Sequence, residues 1–264
     1  MYQFDYVKPK SLAEAAKLAA NEDAKLMSGG QTLIPTMKQR LARPSSVVDI
    51  GDLAELKGIR LDGQTLIIGA GSRHNDVASS DVVKRAIPAL ANLASHIGDP
   101  AVRHRGTMGG SIANNDPAAD YPAALVALGA EVRTTKRAIT ADNFFIGMFE
   151  TALEPGEIVK EIAFPVPKRA AYEKFPNPAS RYAMVGVFVA ETAKGIRVAV
   201  TGAGPGVFRS PEMEAALTKS FTPKAVEAFK ILPDGLNSDI HGSAEYRAHL
   251  VTVMASRAVA KAIA

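Results

Sequence analysis

The sequence predicts an α+β protein in two parts, a larger N-terminal part divided into two lobes and a smaller C-terminal α/β unit. Three observations carry this. Short runs rich in Val, Ile and Leu alternate with alanine-rich stretches of helical spacing along all 264 residues. Glycine doublets at Gly29-Gly30 and Gly109-Gly110 interrupt the alternation. Pro165, Pro167, Pro176 and Pro178 then crowd one stretch, where neither helical nor strand periodicity continues easily.

The elements follow in order. Ser11-Leu12-Ala13-Glu14 has capping-box spacing, which predicts a helix over about 11–20. Ala24–Met27 reads as a short buried strand ended by Ser28-Gly29-Gly30, and Ser46–Ile50 and Thr65–Ala70 read as further strands. The first lobe then spans about 1–55 and the second 56–166. In the second lobe, Ile87, Leu90, Leu93 and Ile97 predict a helix over 86–97. A glycine-rich loop at 106–110 and a helix ending near Gly129 come next, followed by strands at 131–135 and 158–164. Residues 169–264 form the C-terminal unit, roughly 95 residues and a usual size for a small domain. It carries a strand pair at 185–191 and 196–201 and helices at about 211–218, 223–230 and 244–263.

Composition excludes several classes. Hydrophobic residues make up 47% and charged residues 22%, values of an ordinary globular chain. No apolar run approaches the ~18–20 residues of a spanning helix, and Met1–Asp5 lacks a secretory leader's pattern, so a cytoplasmic protein is expected. Cysteine is absent. No disulfide, thiolate metal site, iron–sulfur cluster, cysteinyl flavin or cysteine nucleophile can therefore be built from this chain. The net charge of +4 is dispersed and accompanied by few aromatics, a poor pattern for nucleic acid.

The chemistry concentrates near the glycine doublets. Each is flanked by small hydroxyl residues, Ser28 and Thr32 around the first, Thr107 and Ser111 around the second. Glycine lets a backbone approach a ligand closely, and successive N–H groups can cradle a phosphate. Two such loops face to face would grip a diphosphate from both sides; the alternative is a pair of tight turns. Neither matches a Rossmann or P-loop pattern. Asp116-Pro117 is good helix-start chemistry, so Asp116 is expected at an N-cap. Asp120, a carboxylate near a phosphate loop, would accept from a sugar or ribityl hydroxyl if it touches the ligand. Arg103-His104-Arg105 either holds an anion or is a solvated turn or subunit contact. Lys174 by itself reads as an exposed strand residue. The histidines at 74, 96, 104, 241 and 249 show no metal-ligand spacing, and no Gly-x-Ser-x-Gly elbow is present.

Three stretches resemble the FAD-binding medium subunits of the xanthine dehydrogenase family, carbon monoxide dehydrogenase type. They are Ser28-Gly29-Gly30-Gln31-Thr32-Leu33-Ile34-Pro35-Thr36-Met37-Lys38, the run from Ile97-Gly98-Asp99-Pro100 through Arg105-Gly106-Thr107-Met108-Gly109-Gly110-Ser111 to Asp120-Tyr121-Pro122, and Asp239–Arg247. The sequence departs from the family's usual pattern at Ser28, Thr32 and His104, where Ala, Ser and Asn are common. The resemblance implies a two-lobed FAD-binding domain of the vanillyl-alcohol-oxidase type over 1–166. A small domain of the carbon monoxide dehydrogenase flavoprotein type follows over 169–264.

The same resemblance implies the site. The diphosphate lies between Met27, Ser28, Gly29, Gly30, Gln31, Thr32 and Leu33 on one side and Thr107, Met108, Gly109, Gly110 and Ser111 on the other. Asn114 and Asp120 take the ribityl or ribose side, Ile97 and Val159 line the flavin, Lys174 is a flavin-proximal cation, and Tyr182 lies beside the ring system. No catalytic residue and no metal ligand is expected. The implied role is electron transfer within a molybdenum hydroxylase, with a molybdenum-cofactor large subunit and a [2Fe–2S] small subunit in a dimer of heterotrimers. The acceptor would be NAD, a quinone or oxygen. A self-sufficient FAD-dependent reductase or oxidase and a nucleotide-binding regulatory module are the alternatives.

Overall fold

The computed structural model describes residues 1–264. Its first sheet is three-stranded and parallel, with Ser46–Asp49 between Asp5–Val7 and Ala24–Met27. The crossover helix Leu12–Ala19 is capped by the Ser11 side chain, as its spacing predicts. Its Leu12 and Ala15 join Val48, Ile50, Leu53, Leu56 and Ile158 in a small core. A second helix, Leu33–Lys38, contains Pro35 at its third residue, where the missing N–H breaks no helical bond; that proline hid the helix from sequence periodicity.

The second sheet is five-stranded and antiparallel, in the spatial order Ile59–Asp62, Thr65–Gly69, Val159–Pro165, Glu131–Thr134, Ala138–Thr140. Helices cover one face. The helix expected over 86–97 is present but shorter, Pro88–Ser95, because Pro88 sets its start; a separate helix, Asp81–Ala86, precedes it, with Ile87 between them. The segment expected as a glycine-rich loop is mostly a helix, Met108–Asn114, with Thr107 as its N-cap. Asp116 is not an N-cap. Its carboxylate accepts from the Ala118 N–H in a local turn, and the helix begins later, at Tyr121. Tyr121–Leu128 is apolar on every face and buried throughout, and it ends at left-handed Gly129.

The C-terminal sheet orders its strands Arg169–Pro176, Ala183–Thr192, Gly195–Thr201, Phe208–Arg209, all antiparallel. Side chains of Ala183–Thr192 alternate between two cores. Val185, Val187 and Val189 meet the long helix Ala244–Ile263 through Val251, Met254 and Ala258. Phe188 and Ala190 face the other way, in one core with Tyr121–Leu128. The chain before the Tyr121 helix is also tied to this sheet. Thr201 Oγ1 donates to the carbonyls of Pro117 and Ala119, at 3.1 and 2.6 Å, and the Gly202 N–H donates to Pro117 at 2.8 Å.

Candidate cofactor site

A cavity of about 1120 Å³ opens where the two N-terminal sheets and the C-terminal sheet meet. That exceeds the ~300–1,000 Å³ of a typical small-ligand pocket and suits a dinucleotide. Sixteen of the eighteen residues singled out from sequence line it: Met27 to Leu33, Ile97, Thr107, Gly109 to Ser111, Asn114, Asp120, Val159 and Tyr182. Met108 and Lys174 do not. Met108 is fully buried and packs into the large core, because the second residue of the Thr107 turn points inward.

The first loop leaves the strand Ala24–Met27, which is anchored past its end by the Ile50 N–H donating to the Met27 carbonyl at 2.9 Å. Gly30 is left-handed at φ 70°. None of the backbone N–H groups of Ser28, Gly29, Gly30, Gln31 and Thr32 donates to an acceptor of the chain. Five adjacent donors in one loop, lining a cavity, form an anion cradle.

The second segment is different. The N–H of Met108 donates to Ser72 at 3.0 Å, that of Gly109 to Ala70 at 2.8 Å, and that of Ser111 to Thr107 at 3.0 Å. The Gly110 N–H reaches the Thr107 hydroxyl at 3.2 Å. The expected pair of facing amide nests is thus one amide nest opposed by a capped helix start with the Ser111 hydroxyl.

The glycines divide by cause. A Cβ on Gly29 would lie 2.1 Å from the Arg105 carbonyl oxygen, so this glycine lets the two loops pack backbone to backbone. The Thr107 hydroxyl donating to Ser28 Oγ at 3.1 Å adds to that seam. Gly109 packs on Ala70, where a Cβ would come within 2.5 Å. Gly110 has no such neighbour: its Cβ would meet only the Thr107 hydroxyl, at 3.0 Å, and the residue is exposed to the cavity. At the third residue of this helix a bare backbone leaves the capping Thr107 hydroxyl uncrowded and lets a ligand approach closely from the cavity. The free amide row and this bare position together fit a diphosphate.

Asp120, only 4% exposed, lies farther along the cavity. Its Oδ1 accepts from Lys174 Nζ at 2.9 Å and from Tyr172 Oη at 2.6 Å. Lys174 also donates to the carbonyls of His96 and Arg181, each at 2.8 Å, so all three ammonium protons are used within the chain. Lys174, which by itself reads as an exposed strand residue, is a buried strut behind Asp120, its side chain 6% exposed. Burial pushes the Asp120 carboxyl above its usual value, while the Lys174 charge and the Tyr172 hydrogen bond oppose that rise.

The remaining walls come from separate elements. The Ile97 carbonyl is held by Arg103 Nη1 at 3.1 Å, which also reaches Gly98 at 2.9 Å. Arg103 is therefore a strut, and His104 is satisfied by the Pro100 carbonyl at 2.7 Å. Val159 sits at a bulge in its strand. Tyr182 stands edge-on to His241, with ring centres 6.3 Å apart. Met148 and Phe149, unmarked in the sequence, reach the wall from a hairpin tip. Buried Asn115 holds that tip, donating to the carbonyls of Gly147 and Glu150 at 2.7 and 2.8 Å.

Asn237 and His74 also line the cavity without a local sequence signal, as do Asp239 and Arg247 at the two ends of the third family-like stretch. Arg247 is 2% exposed and donates to Met184, Gly202 and Asp239. His74 is held neutral, its pKa pushed down to about 4 by burial and then by Arg103.

Comparison with known proteins agrees with this geometry. Residues 2–167 match the family described as the FAD binding domain in molybdopterin dehydrogenase, and residues 170–262 match the CO dehydrogenase flavoprotein C-terminal domain. The carbon monoxide dehydrogenase medium chain of Hydrogenophaga pseudoflava is 37% identical over 97% of this chain and 96% of its own. The nicotine 6-hydroxylase medium subunit of Paenarthrobacter nicotinovorans is 35% identical over 97% of this chain and 96% of its own. A solved structure of the Hydrogenophaga enzyme superposes with a TM-score of 0.91, covering 99% of this chain and 98% of that one.

Proposed function

The chain belongs to the family of FAD-binding medium subunits of molybdenum hydroxylases, and from that premise we propose how its own residues serve electron transfer. The free amides of Ser28–Thr32 carry the proposal. They bind the FAD diphosphate, with Gly110 and Ser111 against its other side. Asp120 Oδ2 accepts from a hydroxyl of the ribityl chain or ribose. Ile97, Val159 and Tyr182 wall the ring system and exclude water. Bound FAD supplies a carrier that accepts electrons singly and releases them in pairs. In this reading residues 1–166 form the cofactor domain, and 169–264 close its cavity.

With no cysteine in the chain, the iron–sulfur clusters that deliver electrons belong to a partner. The complex comprises a molybdenum-cofactor large subunit, a [2Fe–2S] small subunit and this chain, arranged as a dimer of heterotrimers in the cytoplasm. Electrons leave to NAD, a quinone or oxygen. Relatives named for carbon monoxide and for nicotine share this subunit, which supports placing the organic substrate's pocket on the large subunit. Affinity purification through this chain from its native host tests the assignment. It should yield both partners and one FAD per copy. A yellow chain without molybdenum or iron partners would contradict it.

A further inference from the structure

We infer that Tyr172, carried by the C-terminal sheet, is a positioning residue for the cofactor cavity: with Lys174 it pins one oxygen of Asp120 and leaves the other to accept a hydroxyl of the bound dinucleotide. The inference rests on reading the cavity as the FAD site. Both donors end on Oδ1, while Oδ2 accepts from no group of the chain and is not sealed from the cavity. A carboxylate offers about four acceptor positions. Fixing one oxygen from behind orients the second without occupying it.

Tyr172 is not explained by packing alone. It is 2% exposed, and phenylalanine would fill the same core. The neighbouring strand makes room for the hydroxyl: a Cβ on Gly186 would come within 2.3 Å of Tyr172 Oη. Tyr172 and Lys174 are two residues apart on Arg169–Pro176, so both side chains leave the same face of the sheet. The sheet is registered against Asp120 by the Thr201 and Gly202 hydrogen bonds to Pro117 and Ala119. The C-terminal domain therefore supports Asp120 from behind, besides lining part of the cavity with Tyr182, Asn237 and Arg247.

The titratable groups facing Asp120 are Tyr172 and Lys174 from that strand, His96 beyond the end of Pro88–Ser95, and Tyr121 on its own helix. Burial raises the Asp120 pKa and the two strand donors oppose it. A protonated Asp120 is a weaker acceptor, so FAD retention falls as pH drops through its pKa. Removing the Tyr172 hydroxyl takes away one stabiliser of the carboxylate, and that edge moves to higher pH.

The test uses the intact complex with Tyr172→Phe, Asp120→Asn and the double variant, reading FAD dissociation by flavin fluorescence across a pH series. Tyr172→Phe should bind FAD about tenfold more weakly, as expected for one lost hydrogen bond to a charged group, with its release edge at higher pH. Asp120→Asn should lose the edge, and Tyr172→Phe should add nothing in the Asp120→Asn background. Equal losses with or without Asp120 would reduce Tyr172 to a packing role and overturn the inference, as would a release profile unchanged from wild type. Failure of the wild-type complex to hold FAD would instead refute the cavity assignment.

Discussion

Gly110 is the residue at which ligand and fold separate most cleanly. Its position faces the cavity, and a side chain there would meet only the Thr107 hydroxyl. Gly110→Trp should abolish FAD retention while changing the stability of the cofactor-free protein by no more than about 1 kcal/mol, the scale of an exposed substitution. Flavin content after gel filtration and a thermal melt check both halves; stoichiometric flavin in the variant would displace the diphosphate from this wall. The position of the two glycine doublets and Asp120 along one cavity was legible from the motifs that surround them, not from the glycines alone, which tight turns would equally use. The role of Lys174 was not. Its partners, Asp120 and His96, lie 54 and 78 residues away, and sequence spacing cannot show that they consume its protons.

At the level of elements, the central strand pair of the C-terminal sheet, read at 185–191 and 196–201, was legible while its edge strand Phe208–Arg209 was not, and capping chemistry disclosed the first helix. Proline and glycine hid two helices, one with Pro35 within its first turn and one with Gly109-Gly110 inside it. The short hairpin Phe145–Gly147 and Glu150–Thr151 had no periodic signal. Its register is set by Asn115, which is itself left-handed at φ 44°, and its tip residue Phe149 has φ 58°. An aromatic residue so placed is strained and persists because its surroundings hold it. Asn115→Ala removes both side-chain bonds to the hairpin, and should cost about 1–3 kcal/mol locally. Faster amide exchange over 145–151, with the C-terminal sheet unaffected, is the expected result; unchanged exchange would show that the hairpin stands without Asn115.

Across the whole molecule, the N-terminal part supplies most of the cavity walls, and the C-terminal domain adds Tyr182, Asn237, Asp239 and Arg247 to them and supports Asp120 from behind. The shared core of Tyr172, Phe188, Ala190 and Ala199 with Tyr121–Leu128 makes that support rigid. The division of labour was readable in part from composition, since a chain without cysteine cannot itself hold a thiolate-ligated iron–sulfur cluster. In the proposed site the row of unbonded amides at Ser28–Thr32 grips the diphosphate of FAD. Hydrogen exchange at those amides, compared in cofactor-free and FAD-loaded protein, tests it most directly. Exchange should slow by at least about tenfold at 28–32 on loading, with little change at Met108 and Gly109, whose N–H groups are already bonded. Exchange at 28–32 that ignores FAD while other cavity residues become protected would contradict it.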